Sequence, residues 1–156
     1  MNKILNILLV LLVIGYVLYY FYKQPKYING EMAPQFTAQL IDGTEFSLSE
    51  MKGKYVLLDF WGSWCGPCRS FTPKLIKFKE EHNANFEVIL IGSDGSAKAQ
   101  ANYMKKYKMP WLALKNQSDG ARKLSRTLGV EYIPYLVVLN PDGEVVTKNG
   151  KADITR

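Results

Sequence analysis

Trp61-Gly62-Ser63-Trp64-Cys65-Gly66-Pro67-Cys68 is the stretch on which the reading of this chain turns. It holds the only two cysteines of the sequence, with two residues between them. An apolar run from Tyr55 to Phe60, interrupted by Asp59, leads into it, and an amphipathic run from Arg69 to Glu81 leaves it. A C-x-x-C set between a buried strand and a helix reads as a thiol–disulfide redox centre.

Two cysteines at this spacing cannot build a disulfide framework. With a single histidine, His82, the chain also lacks the four soft ligands of a structural zinc site, so metal binding by Cys65 and Cys68 is the minor reading. The net charge of the 156 residues is +6. Lys3, Lys23 and Lys26 supply three of the 20 basic residues, leaving 17 against 14 acidic residues from Tyr27 onward. That balance, with no basic cluster interleaved with aromatics, does not point to nucleic acid as a partner.

Those three lysines flank Ile4 to Tyr22, which is 19 residues without a charge. As a helix it would span roughly 28 Å, close to the hydrocarbon thickness of a bilayer. It is too long for a signal-peptide core, and no small-x-small cleavage site follows it. Tyr16, Tyr19, Tyr20 and Tyr22 gather at its C-terminal end, where aromatic rings favour the membrane interface. Residues 1–23 therefore read as an uncleaved signal anchor, 24–33 as a short linker, and 34–156 as one folded domain. Counting lysines on either side does not decide the orientation.

Within the domain, two short alternating runs meet at Asp42-Gly43, a hairpin signal. A strand is expected over 54–61, then a helix over 65–82 containing Pro73, which should kink it. A second strand over 86–92 precedes a helix over 96–108, with Ala99, Tyr103 and Met104 inward. A break at Met109-Pro110 leads to a short extended segment. A helix over 118–128 follows, closed by Gly129, then a strand over 135–139, the Asn140–Gly143 turn and a return strand over 144–148. These elements predict an α/β fold: a mixed central sheet with helices on both faces and an N-terminal hairpin, preceded by one transmembrane helix. No closing helix is visible after the last strand.

Trp64-Cys65-Gly66-Pro67-Cys68 after an apolar strand, with Ile133-Pro134 before a later one, resembles thioredoxin-fold oxidoreductases. The anchor and the Ala33-Pro34-x-Phe36 entry resemble the membrane-anchored TlpA/ResA-type bacterial branch. Lys108 to Leu114 and Val137 to Gly143, with Gly150 following, are similar to tryparedoxins and nucleoredoxins. The resemblance implies a thioredoxin fold and a protein-disulfide oxidoreductase, more reductant than oxidant. It implies a bacterial cell membrane location with the domain on the extracytoplasmic side. Oxidised protein thiols would be the substrates, apocytochromes awaiting haem among them, and an unnamed membrane donor would supply electrons. No cofactor beyond a redox-active Cys65–Cys68 disulfide is implied. Three features depart from the pattern. The closing helix is not visible, the lysine that accompanies the buried aspartate of thioredoxins has no counterpart in Val88 to Ile91, and the ResA-type glutamate after this strand is absent, with Ser93 and Asp94 nearby.

A thiol attacks a disulfide only as its thiolate, and a helix N-terminus favours that anion, so Cys65 is the expected nucleophile and Cys68 the resolving thiol. Asp59 lies six residues before Cys65, as does the buried acid of thioredoxins; burial would raise its pKa and suit it to relay the Cys68 proton. Pro134 is implied to be cis beside the cysteine pair, with the Ile133 backbone pairing to an extended substrate. Gly66, Pro67 and Trp64 complete the expected substrate surface, and Tyr135 is expected to narrow it. Trp61 and Trp111 read as core, and His82 has no assigned role. A peroxidase would need Pro and Thr or Ser where Leu58 and Gly62 stand. A non-enzymatic tethered assembly module or metallochaperone is the remaining alternative.

Overall fold

A computed structural model describes residues 3–23 and 29–154. The apolar N-terminus forms helix α1 (Lys3–Lys23), exposed along 3–20 and, by length and composition, apolar enough to cross a membrane. Residues 24–28 of the expected linker, Lys26 among them, lie outside the described residues, as do the side chains of Tyr22 and Lys23. The remainder of the linker is not a free spacer. Gly30 N–H donates to Val145 O at 2.7 Å, Val145 N–H to Glu31 O at 2.8 Å and Ala33 N–H to Gly143 O at 2.9 Å.

Strands β1 (Thr37–Gln39) and β2 (Glu45–Ser47) form the hairpin expected at Asp42-Gly43. Gly43 takes φ 92°, and the Asp42 carboxylate accepts from the Thr44 N–H at 3.0 Å and its hydroxyl at 2.7 Å. These are the reasons Asp-Gly serves in a tight turn. A short 3₁₀ turn (Leu48–Met51) follows. Then come β3 (Tyr55–Trp61), α2 (Gly66–Glu81), β4 (Phe86–Gly92), α3 (Ala97–Lys106), β5 (Leu112–Leu114), α4 (Asp119–Thr127), β6 (Tyr135–Leu139), β7 (Val145–Thr147) and α5 (Gly150–Ile154). Pro73 lies inside α2, which continues through it as one helix. Ser96 and Ser118 open α3 and α4 by accepting from the Ala99 and Ala121 amides at 3.1 and 3.3 Å, satisfying donors that a helix start leaves orphaned.

The five strands lie in the order β5-β4-β3-β6-β7; β3, β4 and β5 are parallel, and β6 runs antiparallel to both β3 and β7. The hairpin joins the far side: Leu40 bridges Leu114, Ile41 N–H donates to Ala113 O and Lys115 N–H to Gln39 O. β3 is buried from Val56 to Trp61, which explains its near-continuous apolar sequence. Alternate residues still separate by face. Val56, Leu58 and Phe60 pack with the hairpin and α4 residues Ala121 and Leu124. Leu57 and Trp61 pack with α2 residues Phe71 and Leu75, with Trp111, and with both cysteines.

One sequence expectation changes here, and another is extended. A helix does follow the last strand: α5 packs onto β6 through Gly150, where a Cβ would stand 3.0 Å from Val138 Cγ2 and 3.2 Å from Leu136 Cβ. On α3, Tyr103 and Met104 face inward as expected, half-buried against the cysteine-side core, but the fully buried side chain is Gln100, whose amide donates to Leu114 O at 3.2 Å.

Candidate active site

β3 ends at Trp61, and the chain turns over Gly62–Trp64, with Cys65 N–H donating to Gly62 O at 3.0 Å. Cys65 is the N-cap of α2. Its backbone is extended, its carbonyl accepts from the Arg69 amide at 3.1 Å, and its Sγ accepts from the Cys68 amide at 3.2 Å. Pro67 sits in the first helical turn, where its missing N–H costs nothing. Cys65 and Cys68 are joined by a disulfide of 2.07 Å with the Cα atoms 5.2 Å apart. Cys65 is 5% and Cys68 1% exposed, so the first sulfur is the more accessible of two nearly buried ones. Gly66 and Pro67 are exposed beside them.

Register brings the other expected residues to the same end of the sheet. Phe60 pairs with Tyr135 across the antiparallel β3–β6 ladder. Continued outward, that register sets Pro134 beside Trp61 and Ile133 beside Gly62. A Cβ on Gly62 would stand 3.2 Å from Ile133 Cδ1, and Ile133 packs against the cluster holding both cysteines. The Ile133–Pro134 peptide bond is cis. Trp64 is 66% exposed, with its indole N–H donating to Ser93 O at 3.2 Å. Tyr135 does not narrow the cysteine face. It packs from the other face, edge-on to Phe60 at 6.3 Å and to the exposed Tyr132 at 5.4 Å. Alternation on β6, which also puts Val137 and Leu139 on that face, is the reason.

Asp59 occupies the centre of β3, opposite Leu90 on β4 and Leu136 on β6, and shares its face with Leu57 and Trp61. It is 3% exposed, and its Oδ1 has no hydrogen-bond partner among the described residues. Burial pushes its carboxyl from 3.8 up to about 7. Trp61 is buried and packs at a tilt against Tyr103, ring centroids 4.6 Å apart, and Trp111 lies in the core that contains the disulfide. His82 is exposed at the C-terminal end of α2, stacked on Phe78 at 4.2 Å. Among the described residues no group of three His, Cys, Asp or Glu side chains could hold a metal ion.

Sequence reasoning passed over the pairing of Ser63 with Asp94. The buried Asp94 carboxylate accepts from the Ser63 N–H at 2.8 Å and its hydroxyl at 2.5 Å. The only signal was the parallel β3–β4 register, Trp61 opposite Gly92, which local patterning does not reveal.

A disulfide closed across the first turn of a helix, at the end of a central parallel strand and beside a cis-proline turn, defines a thiol–disulfide redox centre. Comparison with known proteins agrees. A family model described as thioredoxin-like matches residues 53–145. Tryparedoxin of Trypanosoma brucei brucei is 45% identical over 112 residues, covering 70% of this chain and 76% of the relative. The thiol-disulfide oxidoreductase ResA of Bacillus thuringiensis subsp. konkukian is 31% identical over 156 residues, covering 93% of this chain and 86% of the relative. The chain also matches nucleoredoxins, spanning 26% of the length of the human protein. Among solved structures, the thioredoxin domain of a thiol-disulfide oxidoreductase from Bacteroides vulgatus superposes with a TM-score of 0.71 at 28% identity, covering 78% of this chain and 88% of that one. The chain belongs to the thioredoxin-like family. It has the thioredoxin fold and is a thiol–disulfide oxidoreductase.

Proposed function

We propose that the protein reduces disulfides in other proteins through Cys65 and Cys68, from a domain that α1 tethers to a membrane. The observation that carries this reading is the place of Cys65: its sulfur caps α2 and accepts the Cys68 amide proton. Helix-start donors of that kind stabilise a thiolate over a thiol.

In the reduced protein the Cys65 thiolate attacks one sulfur of a substrate disulfide. That bond breaks, the departing sulfur takes up a proton, and Cys65 is left in a mixed disulfide with the substrate. Asp59, as carboxylate, accepts the Cys68 proton through water. Its pKa near 7 matches the task, since a general base works best when poised near the working pH. The Cys68 thiolate then attacks Cys65 Sγ, which forms the Cys65–Cys68 disulfide and releases the second substrate thiol. Two electrons pass to the substrate, and a donor in the membrane restores the dithiol.

Trp64, Gly66 and Pro67 are exposed around the pair, and the Ile133–Pro134 turn lies beside it. An extended substrate segment pairs with the Ile133 backbone, which confers affinity with little side-chain selectivity. The Gly66-Pro67 spacer, like that of reducing thioredoxins, supports the reducing direction. By likeness to the ResA relative, the domain lies outside the cytoplasm in this reading, where apocytochrome cysteine pairs are one substrate class.

Insulin-disulfide reduction tests the chemistry: Cys65→Ser falls to background, and a Cys65→Ser protein with full activity ends this reading. Cys68→Ser accumulates mixed disulfides whose partners mass spectrometry identifies. For the tether, the full chain stays in the carbonate-washed membrane pellet, and protease added to spheroplasts removes the domain. Release by carbonate or protection from protease refutes the corresponding part.

A further inference from the structure

The turn that presents Cys65 is gripped from the end of the neighbouring strand. β3 and β4 are parallel with Trp61 opposite Gly92, and the same register carried two residues further brings Ser63 to Asp94. Three contacts follow the register. Ser93 N–H donates to Trp61 O at 2.7 Å, both Ser63 protons go to Asp94 Oδ1 at 2.8 and 2.5 Å, and the Trp64 indole donates to Ser93 O at 3.2 Å. Asp94 is itself held from behind. Its carbonyl accepts from Asn116 Nδ2 at 2.7 Å and Gln117 Nε2 at 2.8 Å, and Gln117 adopts φ 52° in that loop.

This carboxylate is 1% exposed, and its Oδ2 has no hydrogen-bond partner among the described residues. A buried acid with half its acceptors unused costs stability. Its retention calls for a compensating task, and the two Ser63 protons identify it. The turn running from Ser63 closes through Cys65 N–H to Gly62 O and ends with Cys65 Sγ on the Cys68 amide.

We propose that Asp94 is a positioning residue: by taking both protons of Ser63 it holds the Gly62–Trp64 turn so that Cys65 Sγ stays against the Cys68 amide. The inference rests on the reading of Cys65 as the attacking thiol. The role asked of Asp94 is that of a hydrogen-bond acceptor, which an amide oxygen can also fill. Charged or titratable groups on the elements around the pair include Asp59 on β3, Arg69 at the start of α2 and Tyr103 on α3, with Glu131 and Tyr132 ahead of the Ile133–Pro134 turn.

The test is the pH dependence of iodoacetamide alkylation at Cys65 in the reduced full chain, located by mass spectrometry and accompanied by thermal unfolding. Asp94→Ala removes acceptor and charge, Asp94→Asn keeps an acceptor without the charge, and Ser63→Ala removes one hydroxyl. In Asp94→Ala the alkylation midpoint moves to higher pH, so that the rate at pH 7, relative to its own plateau, drops about tenfold. Ser63→Ala moves the same way by about threefold, and Asp94→Asn stays within about twofold of the parent. An unmoved midpoint in folded Asp94→Ala overturns the proposal. So does a lowered midpoint in both Asp94 variants, which assigns the effect to charge alone. If Asp94→Ala fails to fold, Ser63→Ala decides, and an unmoved midpoint there overturns the proposal. Alkylation at Cys68 in place of Cys65 in the parent protein refutes the assignment of the attacker, and the inference with it.

Discussion

The central sheet has a buried ionisable group at one end and another at its middle, held in opposite ways. At the start of β4, Lys79 of α2 is 5% exposed, and its ammonium donates to Phe86 O at 2.5 Å and Asn83 Oδ1 at 2.8 Å. It also stands 3.6 Å from the Glu87 carboxylate, whose other oxygen is 3.9 Å from Lys54. In the middle of β3, Asp59 is 3% exposed without a partner for its Oδ1 among the described residues, and burial lifts its pKa to about 7. A buried charge with its donors satisfied ties elements together. A buried acid without partners is held where its protonation changes near neutral pH, and such groups concentrate at functional sites.

The largest effect that would break this contrast is at Asp59. Its folded pKa lies above its unfolded one, so the folded state binds the proton more tightly. Stability therefore declines as pH rises from about 4 and levels off above about 7. Each pKa unit is worth about 1.4 kcal/mol, so Asp59→Asn should gain several kcal/mol at pH 8 and almost nothing below pH 4. Urea midpoints at the two pH values measure this, and the same variant should slow insulin reduction by about a hundredfold. Equal gains at both pH values would mean that Asp59 is not charged at pH 8.

Lys79→Ala should go the other way. Removing one partner of a buried ion pair costs about 3 kcal/mol, read as a lower urea midpoint, while the folded fraction reduces insulin at the parental rate. A loss of activity beyond the loss of folded protein would make Lys79 more than a tie. The smallest effect belongs to Trp64→Ala, since the ring is 66% exposed. Stability should hold within about 0.5 kcal/mol, while reduction of protein disulfides falls about fivefold and reduction of a small disulfide does not.

Much of the fold was legible because its signals are local. The apolar run of β3, the Asp-Gly hairpin turn and the Asn140–Gly143 turn each have a mechanism within a few residues. The C-x-x-C at a strand–helix junction and Ile133-Pro134 were legible for the same reason. What escaped reading depends on register or on distant partners. Ser63 meets Asp94 because two parallel strands align Trp61 with Gly92, a choice that neither strand's sequence records. Gln100 is buried because its amide reaches Leu114 O, and a polar residue in an amphipathic pattern otherwise reads as solvent-facing. Tyr135 turned away from the cysteines because alternation along β6 decides its face, whatever its nearness to Pro134. The five residues of α5 are too few to show a helical period, and their one clue, Gly150, marks a close approach to β6.

The pairing of residues 30–33 with β7, matched by Gln39–Ile41 along β5, has a consequence for crowding. The outer strand of an open sheet is a template on which another chain can add, and chains confined to a two-dimensional surface meet far more often than chains in solution. Here Gln39–Ile41 run along β5, and Gly30 and Glu31 pair with β7 at Val145. Copies gathered on any surface are thereby left less open edge for the stacking that seeds aggregates.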